Sequence, residues 1–369
     1  MTSPGEPALA DYTTLGIGGP AARLMQPATR DELIEQTLAT WGSPEDWLLL
    51  GGGSNVVIAD EGFDGDVIRV VTRGLSATRV DGSARPVRLT VEAGEPWDDV
   101  VAHTVANGWS GVEALSGIPG SAGAAPVQNI GAYGQELASS LVSIDFLDFD
   151  SGRVVTIPAP ELGLGYRTSA LKRGRLGLVV SLQLALADDA GLSQPIAYAQ
   201  LASALNVRIG DRVPVGHLRA AVLELRGSKG MLWDPADPDS ASAGSFFTNP
   251  VVTEGFARGL PADAPRWPTA PEEAARVLPL GSEIPHIVRG EYLVKLSAAW
   301  LIEHAGVTRG FAIPGSRAAI SSKHTLAIVN RGGATAGDVV QLAGYIQTRV
   351  LAEFGVNLQP EPVLVGVEL

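Results

Sequence analysis

Three polar residues in well-separated parts of the sequence have side chains that could stabilise an anion and move a proton. Arg167 follows a Gly-Tyr pair, Ser245 precedes two phenylalanines, and Glu361 lies close to the last residues. Taken singly, they are explained as well by a surface ion pair, a turn cap and a solvated carboxylate. Taken together, a guanidinium, a hydroxyl and a carboxylate are suited to electrostatic stabilisation and general acid catalysis.

The first glycine loop consists of Gly51, Gly52, Gly53, Ser54 and Asn55, directly after an apolar segment that is predicted to be a strand. Glycines let successive backbone N–H groups point at one oxyanion without an obstructing Cβ, and the serine and asparagine add side-chain donors. A phosphate is therefore a suitable ligand, although a plain β-turn explains the loop equally well. No lysine follows as in an ATP P-loop, and no helix follows as in a dinucleotide fingerprint.

The second glycine loop (residues 117–134) combines frequent glycine with apolar residues and a Gln-Asn-Ile core. A flexible linker with this much glycine would be hydrophilic and repetitive. The composition instead predicts a backbone that packs closely against a flat ligand. The residues predicted to bind it are Gly117, Pro119, Gly120, Ser121, Gly123, Gln128, Asn129, Ile130, Gly131, Tyr133 and Gly134.

The composition excludes several classes of function. A formal net charge of −13 argues against a general nucleic-acid binder. The sequence has no cysteine, which excludes disulfides, Cys-ligated zinc, iron–sulfur clusters and a cysteinyl-flavin bond. No apolar run reaches the ~18 residues that a membrane span needs, and the first ten residues lack signal-peptide features. We expect a cytoplasmic protein that acts on a small molecule, without a metal, nucleic acid, membrane or obligate protein partner.

Short strands and helices in alternation are predicted to hold these residues. Helices are predicted over residues 295–304 and 335–354, the second with a capping-box start and an apolar stripe. The dipeptide Asp64-Gly65 predicts a turn between two strands of a small β-α-β unit.

The two glycine loops together resemble the FAD-binding pair of the vanillyl-alcohol-oxidase (PCMH) type of flavoprotein. Within that group the sequence is similar to the UDP-N-acetylenolpyruvoylglucosamine reductase (MurB) family, from residues 14–19 to residues 358–361. The resemblance implies an α+β fold of three lobes. The first FAD-binding lobe would comprise residues 1–76 joined by 356–369, the second residues 77–229, and the substrate-binding lobe residues 230–355.

The same resemblance implies a reaction in two halves. NADPH reduces non-covalently bound FAD and leaves, and UDP-N-acetylglucosamine enolpyruvate is then reduced to UDP-N-acetylmuramate for peptidoglycan synthesis. Flavin N5 would give hydride to C3, Arg167 and Glu361 would stabilise the enolate, and Ser245 would protonate C2. The substrate-binding residues that the resemblance implies are Tyr198 on a tyrosine loop of the longer subclass, Arg226, Lys229, Asn249 and Lys295.

The sequence departs from the family pattern in three places. Gln359 stands where a second acidic residue is common, and Pro362 where an aliphatic residue is common. The segment between Lys229 and Ser245 is longer than usual and rich in Asp and Pro, which leaves the shape of a lid open. Two alternatives also remain: an oxidase of the same flavin fold, and a protein that binds a flavin or nucleotide sugar without catalysis.

Overall fold

Helices and short strands alternate along the residues that the computed structural model describes, which are 7–269 and 293–369. No helix within these ranges is long and apolar enough to cross a membrane. The α-helices of these ranges are α1 (Arg30–Trp41), α2 (Trp97–Ala106), α3 (Ala199–Leu205), α4 (Val215–Gly227), α5 (Glu254–Arg258), α6 (Ala298–His304) and α7 (Ala336–Phe354). Single-turn 3-10 helices span Leu9–Tyr12, Glu113–Leu115, Ala122–Ala124, Leu137–Ser139 and Ala159–Leu162. The strands are β1 (Ala21–Met25), β2 (Trp47–Leu50), β3 (Val56–Ile58), β4 (Phe63–Arg69), β5 (Leu75–Arg79), β6 (Val87–Glu92), β7 (Trp109–Ser110), β8 (Gly131–Ala132), β9 (Gln135–Glu136), β10 (Leu141–Asp148), β11 (Arg153–Pro158), β12 (Gly177–Asp188), β13 (Ser242–Ser245), β14 (Val251–Thr253), β15 (Arg266–Thr269), β16 (Leu293–Leu296), β17 (Ala318–Ile320), β18 (Ala327–Asn330) and β19 (Val363–Val365).

A three-stranded parallel sheet positions the first glycine loop. Its strand order is β1–β4–β2, and Leu50 at the end of β2 lies opposite Arg69 of β4. The helix α1 precedes β2 and starts at a capping box, in which Thr29 accepts a hydrogen bond from the N–H of Glu32. Because β2 is paired up to its last residue, the direction in which residues 51–55 leave the sheet is fixed.

The C-terminal strand β19 returns to the first glycine loop. It pairs in parallel with β3, with Val363 opposite Val56. The N–H of Val363 also donates to the backbone oxygen of Asn55 at 3.0 Å. This pairing brings Glu361, two residues before Val363, to the loop that follows β2.

An antiparallel sheet and the helix α2 hold the second glycine loop. The strand order is β11–β10–β12–β6–β5, and β7 pairs with β12. Trp97 begins α2, is 1% exposed, and packs in the core with Leu115 and Ala122. Its backbone N–H donates to the oxygen of Gly120 at 3.0 Å, so the loop is tied to the buried end of the helix.

Two small antiparallel sheets and the long helix α7 form the third part of the molecule. The sheets have the orders β13–β18–β17 and β14–β16–β15. The predicted stripe of α7 is confirmed, since Val339, Leu342, Ile346 and Val350 are all fully buried. The helix begins after Thr335, whose side chain accepts a hydrogen bond from the N–H of Asp338 in a capping box. The apolar face of α7 therefore lies in the hydrophobic core of this part.

The predicted start of the helix at residue 295 is wrong. The helix α6 begins at Ala298, because Ser297 caps it by accepting a hydrogen bond from the N–H of Trp300. Lys295 lies instead in β16, where it pairs with Val251 of β14. Its side chain is therefore presented by a sheet and not by a helix.

The predicted turn at Asp64-Gly65 is also wrong, because both residues lie inside β4. A Cβ on Gly65 would lie 2.3 Å from the backbone oxygen of Asp46. The glycine therefore permits a close approach of two chain segments and does not reverse the chain.

Candidate active site

One cleft of about 340 Å³ brings the two glycine loops and the three distant polar residues together. The cleft opens between the first and the second glycine loop, and Arg167, Ser245 and Glu361 all line it. The predicted residues that line this cleft are Gly51, Gly52, Gly53, Ser54, Asn55, Pro119, Gly120, Ser121, Gln128, Ile130, Gly131, Arg167, Arg226, Ser245 and Glu361.

The two glycine loops approach each other so closely that side chains would block the contact. A Cβ on Gly52 would lie 2.6 Å from the Cα of Gly120. Gly53 has a φ of +61°, and a Cβ there would lie 1.9 Å from the backbone oxygen of Tyr12. The hydroxyl of Ser54 donates to the backbone oxygen of Pro119 at 3.1 Å. The bare backbone of both loops therefore forms the walls of a narrow cleft, as a flat ligand with a phosphate group requires.

Glu361 lies at the centre of a polar corner of the cleft. Gln128 Nε2 donates to its Oε1 at 3.2 Å, and Arg167 Nε lies 3.2 Å from the same oxygen. The Arg167 N–H is not aligned for a hydrogen bond, so this contact is electrostatic. Burial raises the pKa of Glu361, while the positive charges of Arg167 and Lys172 and the bond from Gln128 lower it. The raised pKa means that Glu361 holds its proton more tightly than an exposed carboxyl does, which suits a group that donates a hydrogen bond or a proton in the cleft.

The backbone of Arg167 is held in an unusual conformation. Its φ is +53°, in the left-handed region that a non-glycine residue rarely adopts. A bridge between Gly165 and Thr168 closes the turn around it. Arg167 Nη2 donates to the backbone oxygen of Gly131 at 3.0 Å, which directs the guanidinium to the second glycine loop. This strained turn fixes the charge beside the carboxyl of Glu361.

Ser245 and Glu361 share the cleft because their backbones are bonded to each other through Phe246. Ser245 ends β13 and is half-buried. Phe246 and Phe247 follow it, each only 1% exposed. The N–H of Glu361 donates to the oxygen of Phe246 at 2.8 Å. The buried phenyl rings therefore anchor the segment, and the serine hydroxyl is left on the cleft side.

Comparisons with known proteins identify both halves of this cleft. A family model described as an FAD binding domain matches residues 21–158, which include both glycine loops. A second model, described as the C-terminal domain of UDP-N-acetylenolpyruvoylglucosamine reductase, matches residues 235–365, which include Ser245 and Glu361.

Relatives along the whole chain carry the same name. UDP-N-acetylenolpyruvoylglucosamine reductase of Leifsonia xyli is 60% identical, with 100% of both chains covered. The chain belongs to the UDP-N-acetylenolpyruvoylglucosamine reductase family. The reductase of Saccharopolyspora erythraea is 49% identical over 99% of this chain and 96% of that protein. The crystal structure of the reductase from Thermus caldophilus is 26% identical, has a TM-score of 0.62, and is covered over 98% of both chains.

Membership in the reductase family confirms the predicted class of fold and cofactor. The fold is α+β, with an FAD-binding domain followed by the C-terminal domain of the family. The cleft fits FAD, because a Cβ on Gly51 or Gly52 would fill the space between the loops. A dinucleotide needs such bare backbone where its diphosphate passes the chain.

Three residues predicted to bind the cofactor lie outside the lining of the cleft and are used within the protein. Asn129 is 1% exposed, donates to Glu136 and to the backbone of Gly165, and accepts from the N–H of Ala138. Gly123 packs against the end of a strand, where a Cβ would lie 2.6 Å from the Cβ of Ala93. The N–H of the third, Gly117, donates to Asp98, and its oxygen accepts a hydrogen bond from Arg226.

Tyr133 and Gly134 also lie outside the lining of the cleft, beside the residues predicted to cover the substrate. The rings of Tyr133 and Tyr198 meet edge to face with centroids 5.7 Å apart. A Cβ on Gly134 would lie 3.1 Å from the Cβ of Ala197. Lys229 Nζ lies 5.6 Å from the Tyr133 ring and donates to Gln200 Oε1 at 3.0 Å. The end of the second glycine loop therefore contacts the segment that contains Ala197 and Tyr198.

Lys295 and Asn249 lie on the other side of Arg167, around Tyr166. Lys295 Nζ is 4.7 Å from the centre of the Tyr166 ring, and the Arg167 guanidinium is 5.7 Å from it. Asn249 Oδ1 accepts a hydrogen bond from the N–H of Ala298 at 2.9 Å, so it also holds the start of α6. Neither residue lines the cleft itself.

The sequence reasoning missed one charged residue of the cleft, Lys172. The available signal was its position five residues after Arg167, in a chain that has only four lysines. Met231 and Trp97, which also line the cleft, carried no such signal, because apolar residues at these positions fit an ordinary core.

Asp98 is expected to position the second glycine loop. Its carboxylate accepts hydrogen bonds from the N–H of Gly117 (2.5 Å) and from both terminal nitrogens of Arg219 (2.6 and 2.8 Å). Arg226 Nε donates to the oxygen of the same glycine at 3.0 Å. Asp98→Ala leaves the N–H of Gly117 and both terminal nitrogens of Arg219 without this partner, at a cost of about 1–3 kcal/mol. We expect FAD to dissociate more readily, by about tenfold in Kd, as measured by flavin fluorescence on dilution.

A surface pair of the same chemistry serves as the control. Asp188 pairs with Arg79, which is 61% exposed, and pairs of this kind contribute about 0–1 kcal/mol. Asp188→Ala should leave FAD binding unchanged. Equal FAD affinity in Asp98→Ala and Asp188→Ala would show that the Asp98 network does not support the loop.

Proposed function

We propose that this protein catalyses the NADPH-dependent reduction of UDP-N-acetylglucosamine enolpyruvate to UDP-N-acetylmuramate, a step of peptidoglycan precursor synthesis. The observation that carries the proposal is the meeting of Arg167, Ser245 and Glu361 in the cleft between the two glycine loops. Family membership supports it, because the relatives that match along the whole chain are named for this reductase.

The roles of the three residues follow from their surroundings. Bound FAD supplies hydride transfer, from NADPH and then to the vinyl carbon of the substrate. Negative charge develops as an enolate beside the substrate carboxylate. Arg167 stabilises this enolate by its positive charge, and Glu361 by a hydrogen bond from its protonated carboxyl. Ser245 protonates C2 as the general acid. A serine hydroxyl is a weak acid, so the alkoxide that remains needs nearby positive charge.

That positive charge has to come from cations that line the cleft. Lys229 is not among them, because its ammonium donates to Gln200 outside the lining. Arg167 and Lys172 both line the cleft with Ser245. We assign the stabilisation of the serine alkoxide to these two cations.

The remaining predicted residues form two groups that could hold the two ends of the substrate. Tyr198 and Lys229 lie with Tyr133 at one side, and Asn249 and Lys295 lie with Tyr166 at the other. We propose that Lys229 and Lys295 supply positive charge for the anionic groups of the substrate and that Tyr198 covers it. The cytoplasmic location and the independence from a protein partner stay predictions.

The division into three lobes is also part of the proposal. The parallel sheet with β19 supports a first lobe of residues 1–76 and 356–369, and the antiparallel sheet around β12 supports a second lobe of residues 77–229. The sheets around β16 and β18 support a substrate lobe of residues 230–355. Residues 1–6 of the first lobe and 270–292 of the third lie outside the described residues.

A turnover assay tests the proposed function. Purified holoenzyme is mixed anaerobically with NADPH or NADH, and then with UDP-N-acetylglucosamine enolpyruvate, while flavin absorbance is followed. We expect NADPH to bleach the flavin and the enolpyruvyl substrate to restore its colour. Flavin that NADPH does not bleach, or that only oxygen reoxidises, would overturn the reductase proposal, and oxygen reactivity would favour the oxidase alternative.

Glu361→Gln is expected to make the protein more stable and less active. Burial raises the pKa of Glu361 above that of an exposed glutamate, so the folded state binds this proton more tightly than the unfolded chain does. The protonated carboxyl contributes fully to stability below the pKa of the unfolded chain. This contribution is lost as the pH rises through the pKa of the folded state. At pH 8 the variant should be more stable by about 0.5–2 kcal/mol, and its kcat should fall by about 100-fold.

Thermal unfolding of both proteins between pH 5 and pH 8 checks the sign of this effect. The stability difference should shrink as the pH falls and the wild-type carboxyl becomes protonated. A difference that grows towards pH 5 would mean that the charge of Glu361 stabilises the fold.

A further inference from the structure

Three cations line the cleft, and two of them are already engaged by the protein. Arg226 is 6% exposed and donates to the backbone oxygens of Gly117 and Met231 at 3.0 and 3.1 Å. Arg167 donates to Gly131 and lies against Glu361. The third cation is Lys172, whose ammonium forms no hydrogen bond or ion pair with any residue that the structure describes. It is therefore available to a ligand.

The backbone of Lys172 is fixed although its side chain is exposed. Ser169 is fully buried, donates to the oxygen of Val127 at 2.6 Å, and accepts from the N–H of Lys172 at 3.2 Å. The N–H of Ala170 donates to the oxygen of Leu162 at 2.7 Å. These bonds tie the turn to the second glycine loop and to the 3-10 helix Ala159–Leu162. The lysine therefore projects from a rigid support at the edge of the cleft.

We propose that Lys172 binds the carboxylate of the enolpyruvyl substrate and is a further substrate-binding residue of the cleft. This inference rests on the proposed function. The enolpyruvyl group brings one carboxylate to the place where Ser245 and Glu361 act. Among the cations that line the cleft, only Lys172 lacks a protein partner in the described ranges.

The charges of the polar corner agree with this assignment. Arg167 and Lys172 carry two positive charges, and Glu361 carries at most one negative charge, which leaves at least one positive charge for a carboxylate. Lys172 is close enough to Glu361 to lower the pKa of that carboxyl. Without Lys172, Arg167 alone would have to balance the charge of the substrate carboxylate and that of Glu361 when it is ionised, and like charges repel.

Binding measurements with two ligands test the proposal. Calorimetry on the oxidised holoenzyme, without NADPH, gives the Kd of UDP-N-acetylglucosamine enolpyruvate and that of UDP-N-acetylglucosamine, which lacks the carboxylate. Lys172→Met should weaken binding of the first ligand by about tenfold and change that of the second by less than about twofold. Lys172→Arg keeps the charge and should bind both ligands within about threefold of wild type. Arg153→Met removes an exposed charge from β11 and should change neither Kd.

Other results would overturn the proposal. Equal losses for both ligands in Lys172→Met would place the ammonium at the nucleotide part of the ligand. Unchanged binding of both ligands, together with a lower flavin midpoint potential in Lys172→Met, would mean that the ammonium stabilises the reduced flavin. If wild type turns over the substrate and Lys172→Met binds it normally, only the Lys172 inference fails. If wild type does not reduce the substrate at all, the proposed function fails as well.

Discussion

Replacing Ser245 with alanine is expected to lower kcat by roughly 100- to 10,000-fold while FAD stays bound. The hydroxyl is the proposed proton donor to C2. Without it, no group protonates the enolate that hydride transfer forms. FAD should be retained, because Ser245 lies at the end of β13 and the glycine loops that form the cradle are unaltered. Steady-state turnover with NADPH, and the flavin content from visible absorbance, check both parts of this expectation.

The two half-reactions separate a catalytic role of Ser245 from a structural one. In stopped flow, NADPH should still bleach the flavin of Ser245→Ala at close to the wild-type rate, and only reoxidation by the enolpyruvyl substrate should be slow. Ser76→Ala, on the exposed face of β5, controls for loss of a hydroxyl elsewhere. If Ser245→Ala reduced the substrate at the wild-type rate, another group would have to donate the proton.

Gly52→Ala should produce a protein that folds but binds FAD poorly. The added methyl would lie 2.6 Å from the Cα and 2.9 Å from the carbonyl carbon of Gly120, and this backbone cannot move like the end of a flexible side chain. Forcing the two glycine loops apart costs about 1–3 kcal/mol, which weakens FAD binding by about 5- to 150-fold. The ratio of absorbance at 280 nm to that of the flavin band after gel filtration measures the loss.

A glycine with free space around it provides the control. Gly344 lies within α7, and a Cβ there would meet nothing within 4 Å. Gly344→Ala should keep FAD and raise stability by about 0.5–1 kcal/mol, because alanine favours a helix. Full FAD occupancy in Gly52→Ala would show that the loops can separate without loss of the cofactor, and the cradle would then need another explanation.

The sequence by itself determined the features that depend on residue type and near neighbours. The strand β2 ends directly before Gly51, as predicted, because the apolar run ends where the glycines begin. The helix α7 starts after Thr335, because a capping box is a local device. Arg167, Ser245 and Glu361 could be selected together because their chemistry is complementary and their surrounding residues match one family.

Only the tertiary structure decided which residues of a loop face the ligand. Asn129 and Gln128 are neighbours in a loop predicted to bind cofactor, yet Gln128 donates to Glu361 while Asn129 is used by Glu136 and Gly165. The orientation of each side chain depends on partners that the chain brings from elsewhere, and residue type gives no information about them.

The position of Lys172 at the cleft also depends on contacts with distant parts of the chain. The sequence shows an isolated lysine, whereas its place at the cleft results from a turn that a buried serine ties to the second glycine loop. Likewise, Ser245 and Glu361 meet because the backbone of Phe246 accepts a hydrogen bond from Glu361. Local patterns specify conformations and candidate chemistry, but contacts between distant segments determine which of the candidates share a site, because those contacts depend on how the whole chain packs.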